Sequence, residues 1–187
     1  MKIYFNKALK ILLAVNAVTL FAGAMIAPIY AVYVEKIGGD LLDASLTSAI
    51  FSLVAGVVSL AAGRYSDKTK ENELIVALGY FVLGVGYFFY TLVDSIWSLF
   101  AVQVFIGLGF AISSPPYDAL YSKHVDGHKS GTQWAGWESM AFITTAVGAV
   151  AGGLIATEFG FQSVFVIMSV LSLGSALYVY LLPRKAL

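Results

Sequence analysis

The chain contains no cysteine, which excludes disulfides, thiolate metal sites and a cysteine nucleophile. Charge is also scarce: Asp, Glu, Lys and Arg make up 12% of the 187 residues, against about 25% in an ordinary water-soluble domain. Too few ionic side chains remain to cover the surface of a soluble globule. What charge exists cancels, eleven Lys plus Arg standing against eleven Asp plus Glu. There is therefore no general attraction for nucleic acid or for acidic partners. Walker-type phosphate loops, HExxH zinc sites and GxSxG nucleophile elbows are missing as well. Neither ATP-driven transport by this chain alone nor a membrane enzyme finds support, and no cofactor or metal is implied.

What the sequence has in abundance is apolar surface: 59% hydrophobic residues and a mean hydropathy of +0.85. Six spans of about 20 residues would use about 120 positions, leaving short connections and two tails. Apolar runs bounded by Gly, Pro, Asp and Lys predict six helices at 10–34, 43–63, 73–93, 95–116, 133–156 and 162–182. These runs are too long and too uniform for barrel strands of about 10 alternating residues. The expected fold is all-α, a single six-helix transmembrane domain over 1–187. Lys2, Lys7 and Lys10 precede the first run as in a secretory signal, but its apolar stretch continues through Tyr33 without a small-residue cleavage site. It reads as a retained helix.

Charge placement orients the spans. With the N-terminus in the cytoplasm, Lys2, Lys7, Lys10, Arg64, Lys68, Lys70, Lys123, Lys129, Arg184 and Lys185 all fall inside, and Lys36 alone falls outside. This is the positive-inside pattern. The outer loops carry Glu35, Asp40, Asp43, Asp94 and Glu158. The expectation is a multi-pass protein of the cell membrane with both termini cytoplasmic.

A faint internal repeat accompanies this topology. Pro28, Tyr30 and Lys36 near the end of the first helix are echoed 87 residues later by Pro115, Tyr117 and Lys123. Because the first and fourth helices run in opposite directions, such a repeat relates two three-helix units of inverted topology. Chance likeness of two apolar helix ends is the competing explanation.

Between the second and third helices the chain reads Gly63, Arg64, Tyr65, Ser66, Asp67, Lys68, Thr69, Lys70 and Glu71. Gly63 permits close helix approach, and Asp67 is suited to accept hydrogen bonds from a helix N-terminus. In the fourth helix Gln103 is followed by Gly107 and Gly109. In the fifth, Gly148, Gly152 and Gly153 surround Ala149, with Gly148 and Gly152 forming a GxxxG pair. Lys129, Ser130, Gly131 and Gly136 precede and open that helix. Together these resemble the motifs of the major facilitator superfamily, in particular its drug-efflux type antiporters. Gly63, Asp67 and Lys68 match the family's loop motif. Lys70 stands where the family has Gly, Gln103 where it has Arg, and Ala149 where it has Pro.

The resemblance covers the whole chain and is to the N-terminal six-helix half of such a transporter. It implies transport of a small solute by alternating access, with proton-coupled efflux as one form. It also implies a half-size protein or truncated product that works as a parallel homodimer or with a separate second half. In the family the motif Asp holds a cytoplasmic gate against a helix start in the other half. By analogy Asp67 would meet the start of helix 5 in a partner copy, around Thr132 and Gln133. The alternative is a non-transporting membrane interaction protein or an inactive fragment that keeps the fold.

The family places helices 1 and 4 around a central cavity. On helix 1, Asn16, Thr19, Gly23, Ala27 and Tyr30 form one stripe by helical spacing. A polar group in hydrocarbon must find a partner, so Asn16 and Gln103 serve either as helix-to-helix hydrogen bonds or as solute contacts. Glu138, well inside helix 5, is the proton-coupling candidate; the alternative is that it sits solvated near the cytoplasmic interface, with Trp134 and Trp137 as aromatic anchors. Phe142 and Thr145 extend the Glu138 face. Asp118 is expected at the inner interface, and His124 and His128 in a solvated loop.

Overall fold

A computed structural model describes residues 5–183, and among them every regular element is helical. Helix α1 (Lys7–Ile26) starts where the Asn6 side chain accepts the Leu9 amide at 2.8 Å, an N-cap that satisfies one orphan donor. The same side chain donates to the His124 carbonyl at 2.9 Å, tying this start to the end of a distant helix. A 3-10 turn at Ala27–Ile29, carrying Pro28, separates α1 from α2 (Tyr30–Lys36). The two together make the first span. Reciprocal capping boxes open α3 (Leu41–Ser66), with Asp40 and Asp43, and α5 (Ile96–His124), with Ser95 and Ser98. Between them lies α4 (Asn72–Phe89), extended by a 3-10 turn at Tyr90–Leu92. The last element, α6, is Ser130–Leu181.

Five helical segments are long and apolar enough to cross a membrane, which makes this a multi-pass membrane protein in composition and build. The fifth, α6, covers 52 residues and as a straight rod would extend roughly 78 Å, far beyond a hydrocarbon core of about 30 Å. It does not run straight. Gly160 interrupts it at φ 80°, ψ 168°, a backbone region open essentially to glycine alone. The two legs, 130–159 and 161–181, fold back on each other. Gly136 on the first leg faces Phe5, while Val179 on the second shares a small cleft with Leu12, so both ends return to the start of α1.

The sequence-expected spans differ in extent from these helices. Helix 4 was expected to stop at 116, at the paired prolines, yet α5 continues through Pro115 and Pro116 to His124. Proline is tolerated inside a membrane helix when neighbouring groups satisfy the freed backbone. Tyr117, Asp118, Lys123 and His124 are thus helical. Lys2, Arg184 and Lys185, counted with the inner cations, lie outside the described residues.

Packing follows the small residues. α1 lies on the first leg of α6, α3 on α5, and α4 between α5 and the second leg. A Cβ on Gly148 would stand 2.9 Å from the Phe21 carbonyl oxygen, and one on Gly152 would overlap the Met25 carbonyl. Gly153 faces no neighbour, so its expected packing role is corrected. Residues four apart share a helix face, and the next residue is turned about 100° away. On α5, Gly107 sits against the Phe51 carbonyl of α3, and Gly109 against Gly79 and Leu83 of α4. Of all the spans α4 is the most buried and α3 the least. Aromatic clusters close both ends of the bundle: Tyr33, Tyr90 and Phe165 at one, with two ring pairs at 4.8 Å, and Tyr117, Tyr121, Trp134 and Trp137 at the other.

Candidate functional site

The helices border an open-sided cavity of about 640 Å³, lined by α1, α2, α3, α4, α5 and the first leg of α6. Its volume lies in the range of sites for drug-sized ligands, about 300–1,000 Å³. Each bounding helix contributes a stripe at helical spacing. From α1 come Asn16, Thr19, Gly23 and Ala27, with Tyr30 at the start of α2, so the polar, small and aromatic stripe expected from the sequence borders one space. From α5 come Gln103, Ser113, Tyr117 and Asp118. Gln103 and Asp118, fifteen residues apart, bracket a site extending roughly 22 Å along the helix.

At one end of the cavity Gln103 Nε2 donates to the hydroxyls of Tyr30 and Tyr90, each at 2.7 Å. The arrangement joins α5, α2 and the turn after α4 through one buried amide. Tyr33 completes it by donating to the Tyr90 carbonyl at 3.4 Å. Gln103 therefore combines the two sequence readings: it is a helix-to-helix hydrogen bond, and it lines the cavity. Toward the other end, Tyr117 donates to the Leu12 carbonyl at 3.2 Å and Tyr121 to the Gln133 carbonyl at 2.6 Å.

Of the sequence-predicted cavity residues, Asn16, Thr19, Tyr30, Gln103 and Thr145 meet at this site. Phe142 does not, being 76% exposed. Glu138 is also exposed and outside the lining. Trp137 takes the inward position on α6, and Glu138, the next residue, is rotated about 100° from it. Trp137 thus lines the cavity, and Trp134 packs on Tyr121. Asp118, expected at the interface, also lines the cavity. Sequence reasoning missed Tyr80, Tyr87 and Tyr90. Their spacing of seven and three residues places them on one face of α4 and its turn, a signal that polar-residue scanning passes over.

The loop motif lies at the other end of α3 from its capping box. Gly63 approaches Pro115 of α5, with the position of a Cβ 3.9 Å from the proline ring. Asp67 is the C-cap of α3, and its side chain and that of Lys68 are exposed. Of the two sites expected to receive Asp67, Thr132 is exposed, whereas Gln133 is buried with its side chain accepting the Asp126 amide at 2.8 Å. His124 Nδ1 lies 2.9 Å from the Leu120 carbonyl, and His128 donates its amide to Asp126.

Comparison with known proteins places this architecture. The family model described as Major Facilitator Superfamily matches residues 12–186. An uncharacterized MFS-type transporter of Methanocaldococcus jannaschii is 24% identical over 87% of this chain and 42% of its own length. The multidrug resistance protein MdtG of Dickeya zeae is 23% identical over 88% of the chain and 41% of its own length. The chain thus spans about two fifths of the length of these relatives. It spans 95% of another, the uncharacterized MFS-type transporter YitZ of Bacillus subtilis, at 23% identity over 84% of the chain.

Proposed function

Because the chain belongs to the major facilitator superfamily, we propose that it is the solute-binding half of a transporter that exports a small molecule by alternating access. The observation that carries this reading is the cavity itself: one space of about 640 Å³ lined from six helices, with cross-helix hydrogen bonds holding its tyrosines. The exporting direction draws on relatives named multidrug resistance protein.

In this reading the two legs of α6 are separate crossings, giving six spans in the cell membrane with both termini cytoplasmic. The inverted-repeat relation is supported by where the prolines and contacts fall. Pro28 interrupts the first span, and Pro115 and Pro116 lie at a matching depth in α5. The contact of α1 with the first leg of α6 has its counterpart in that of α5 with α3. These are the pairings a pseudo-two-fold axis between two three-helix units would produce.

A second half, supplied by a parallel copy or a separate chain, would close the cavity. Asp67 would then reach the partner's α6 start at the exposed Thr132, where backbone amides and the helix dipole favour a carboxylate. Glu138, on the exposed face beside Trp137, serves as the proton-coupling group. Solute flux in proteoliposomes under an imposed proton gradient tests the reading, with Glu138→Gln and Asp67→Asn compared with the unmodified chain. Gradient-driven flux lost in Glu138→Gln is the expected result; flux unaffected by it removes that residue from coupling.

A further inference from the structure

The start of α1 and the end of α5 meet at one end of the bundle, outside the cavity. Asn6 Nδ2 donates to the His124 carbonyl at 2.9 Å while the Asn6 side-chain oxygen caps the Leu9 amide, and Ile11 and Leu12 share a small cleft with Leu120. This junction sets Lys7 and Lys10, three apart on the first turns of α1, beside Lys123 in the last turn of α5. All three lysines are exposed, and among the described residues no ion pair engages any of them. Acidic neighbours are missing: no Asp or Glu occurs before Glu35 or between Asp118 and Asp126. Asp118 borders the cavity, and Asp126 pairs with Lys129 at 3.8 Å. On α6, Gly136 faces Phe5, and Glu138, two residues on, is turned about 200° away. The α3–α4 connection is different, since its Arg64, Lys68 and Lys70 are interspersed with Asp67, Glu71 and Glu73.

We propose that Lys7, Lys10 and Lys123 form a binding site for the headgroup of an anionic phospholipid at the junction of α1 and α5. Three clustered ammonium groups without a protein counter-ion attract a phosphodiester. The anion is a lipid because of where the lysines stand. The apolar run of α1 begins at Ile11, directly after Lys10, and Lys123 stands at the end of the α5 span. Lysine stems at span ends lie along apolar surface and carry the ammonium to headgroup level. The Asn6 bond to His124 keeps the two helix ends together, so one headgroup meets cations from both. This site lies outside the cavity and does not depend on what the cavity holds.

Native mass spectrometry of the purified full chain in detergent tests it, with titrations of dioleoylphosphatidylglycerol and of zwitterionic dioleoylphosphatidylcholine. At roughly fivefold in affinity per lysine near an anionic headgroup, phosphatidylglycerol should bind tighter by about tenfold or more. Lys7→Gln combined with Lys123→Gln should remove that preference and leave phosphatidylcholine binding in place, whereas Lys7→Arg combined with Lys123→Arg should keep it. Arg64→Gln combined with Lys70→Gln removes the same charge from the α3–α4 connection and should leave the preference unchanged. Should the first pair fail to fold, Lys123→Gln alone, expected to lose about fivefold, decides. Inorganic phosphate at millimolar concentration should not displace phosphatidylglycerol. Equal binding of the two lipids, or a preference that survives the loss of Lys7 and Lys123, overturns the site. A preference lowered equally by Arg64→Gln with Lys70→Gln also overturns it, by assigning selection to net charge alone. Displacement by phosphate overturns the lipid as its ligand.

Discussion

Gly152 of α6 meets Met25 of α1 so closely that a Cβ on the glycine would overlap the Met25 carbonyl. Hydrophobic burial does not drive association between helices already in lipid, so such backbone approach is a main source of packing. Four residues before it, Gly148 makes the same kind of contact with Phe21 and Ala24. The pair sets the crossing of α1 and α6, and hence the wall of the cavity between them.

Gly152→Ala should therefore destabilise the protein, by about 1–3 kcal/mol if the helices part as overpacked cores do. Gly153→Ala, with open space at that position, should behave like the unmodified chain. Thermal unfolding in detergent followed by tryptophan fluorescence checks both. Equal melting temperatures for the two variants would contradict the contact.

The amide of Gln103 should couple energetically to the Tyr90 hydroxyl it donates to. A double-mutant cycle of Gln103→Leu and Tyr90→Phe is expected to give an interaction of about 0.6 kcal/mol, the average for hydrogen bonds between membrane helices, and at most about 1.7 kcal/mol. Strict additivity would mean that the bond is absent in the membrane.

The absence of native cysteine makes orientation directly measurable. Single cysteines at Lys68 and Asp126 should be labelled by an impermeant maleimide only from the cytoplasmic side, and one at Glu158 only from outside. Labelling of Lys68→Cys from outside in intact cells would reverse the topology that the cations imply.

A partner copy is tested by mixing two differently tagged chains, one carrying Asp67→Cys and the other Thr132→Cys. A parallel homodimer with the proposed gate should yield a crosslinked product bearing both tags. A transporting preparation that yields none speaks against a second copy as the proposed partner.

Much of this protein is determined by its sequence alone. The scarcity of charge and the long apolar runs dictate membrane spans, because transfer into lipid is a property each segment has independently of its neighbours. The α1 stripe from Asn16 to Tyr30 was legible for a related reason: a helix face is set by spacing within one segment. The hairpin at Gly160 and the continuation of α5 beyond Pro116 were less so, since local signals of glycine and proline do not say whether a neighbour will satisfy the backbone. Tertiary structure alone decided which faces meet. It turned Trp137 inward and Glu138 outward, gathered Tyr80, Tyr87 and Tyr90 into the wall, joined Gln103 to two tyrosines from distant segments, and brought Asp118 to the cavity. Those outcomes depend on how each helix is rotated about its axis. That rotation is set by glycine contacts between helices such as Gly152 on Met25, which hydropathy along a single segment does not encode.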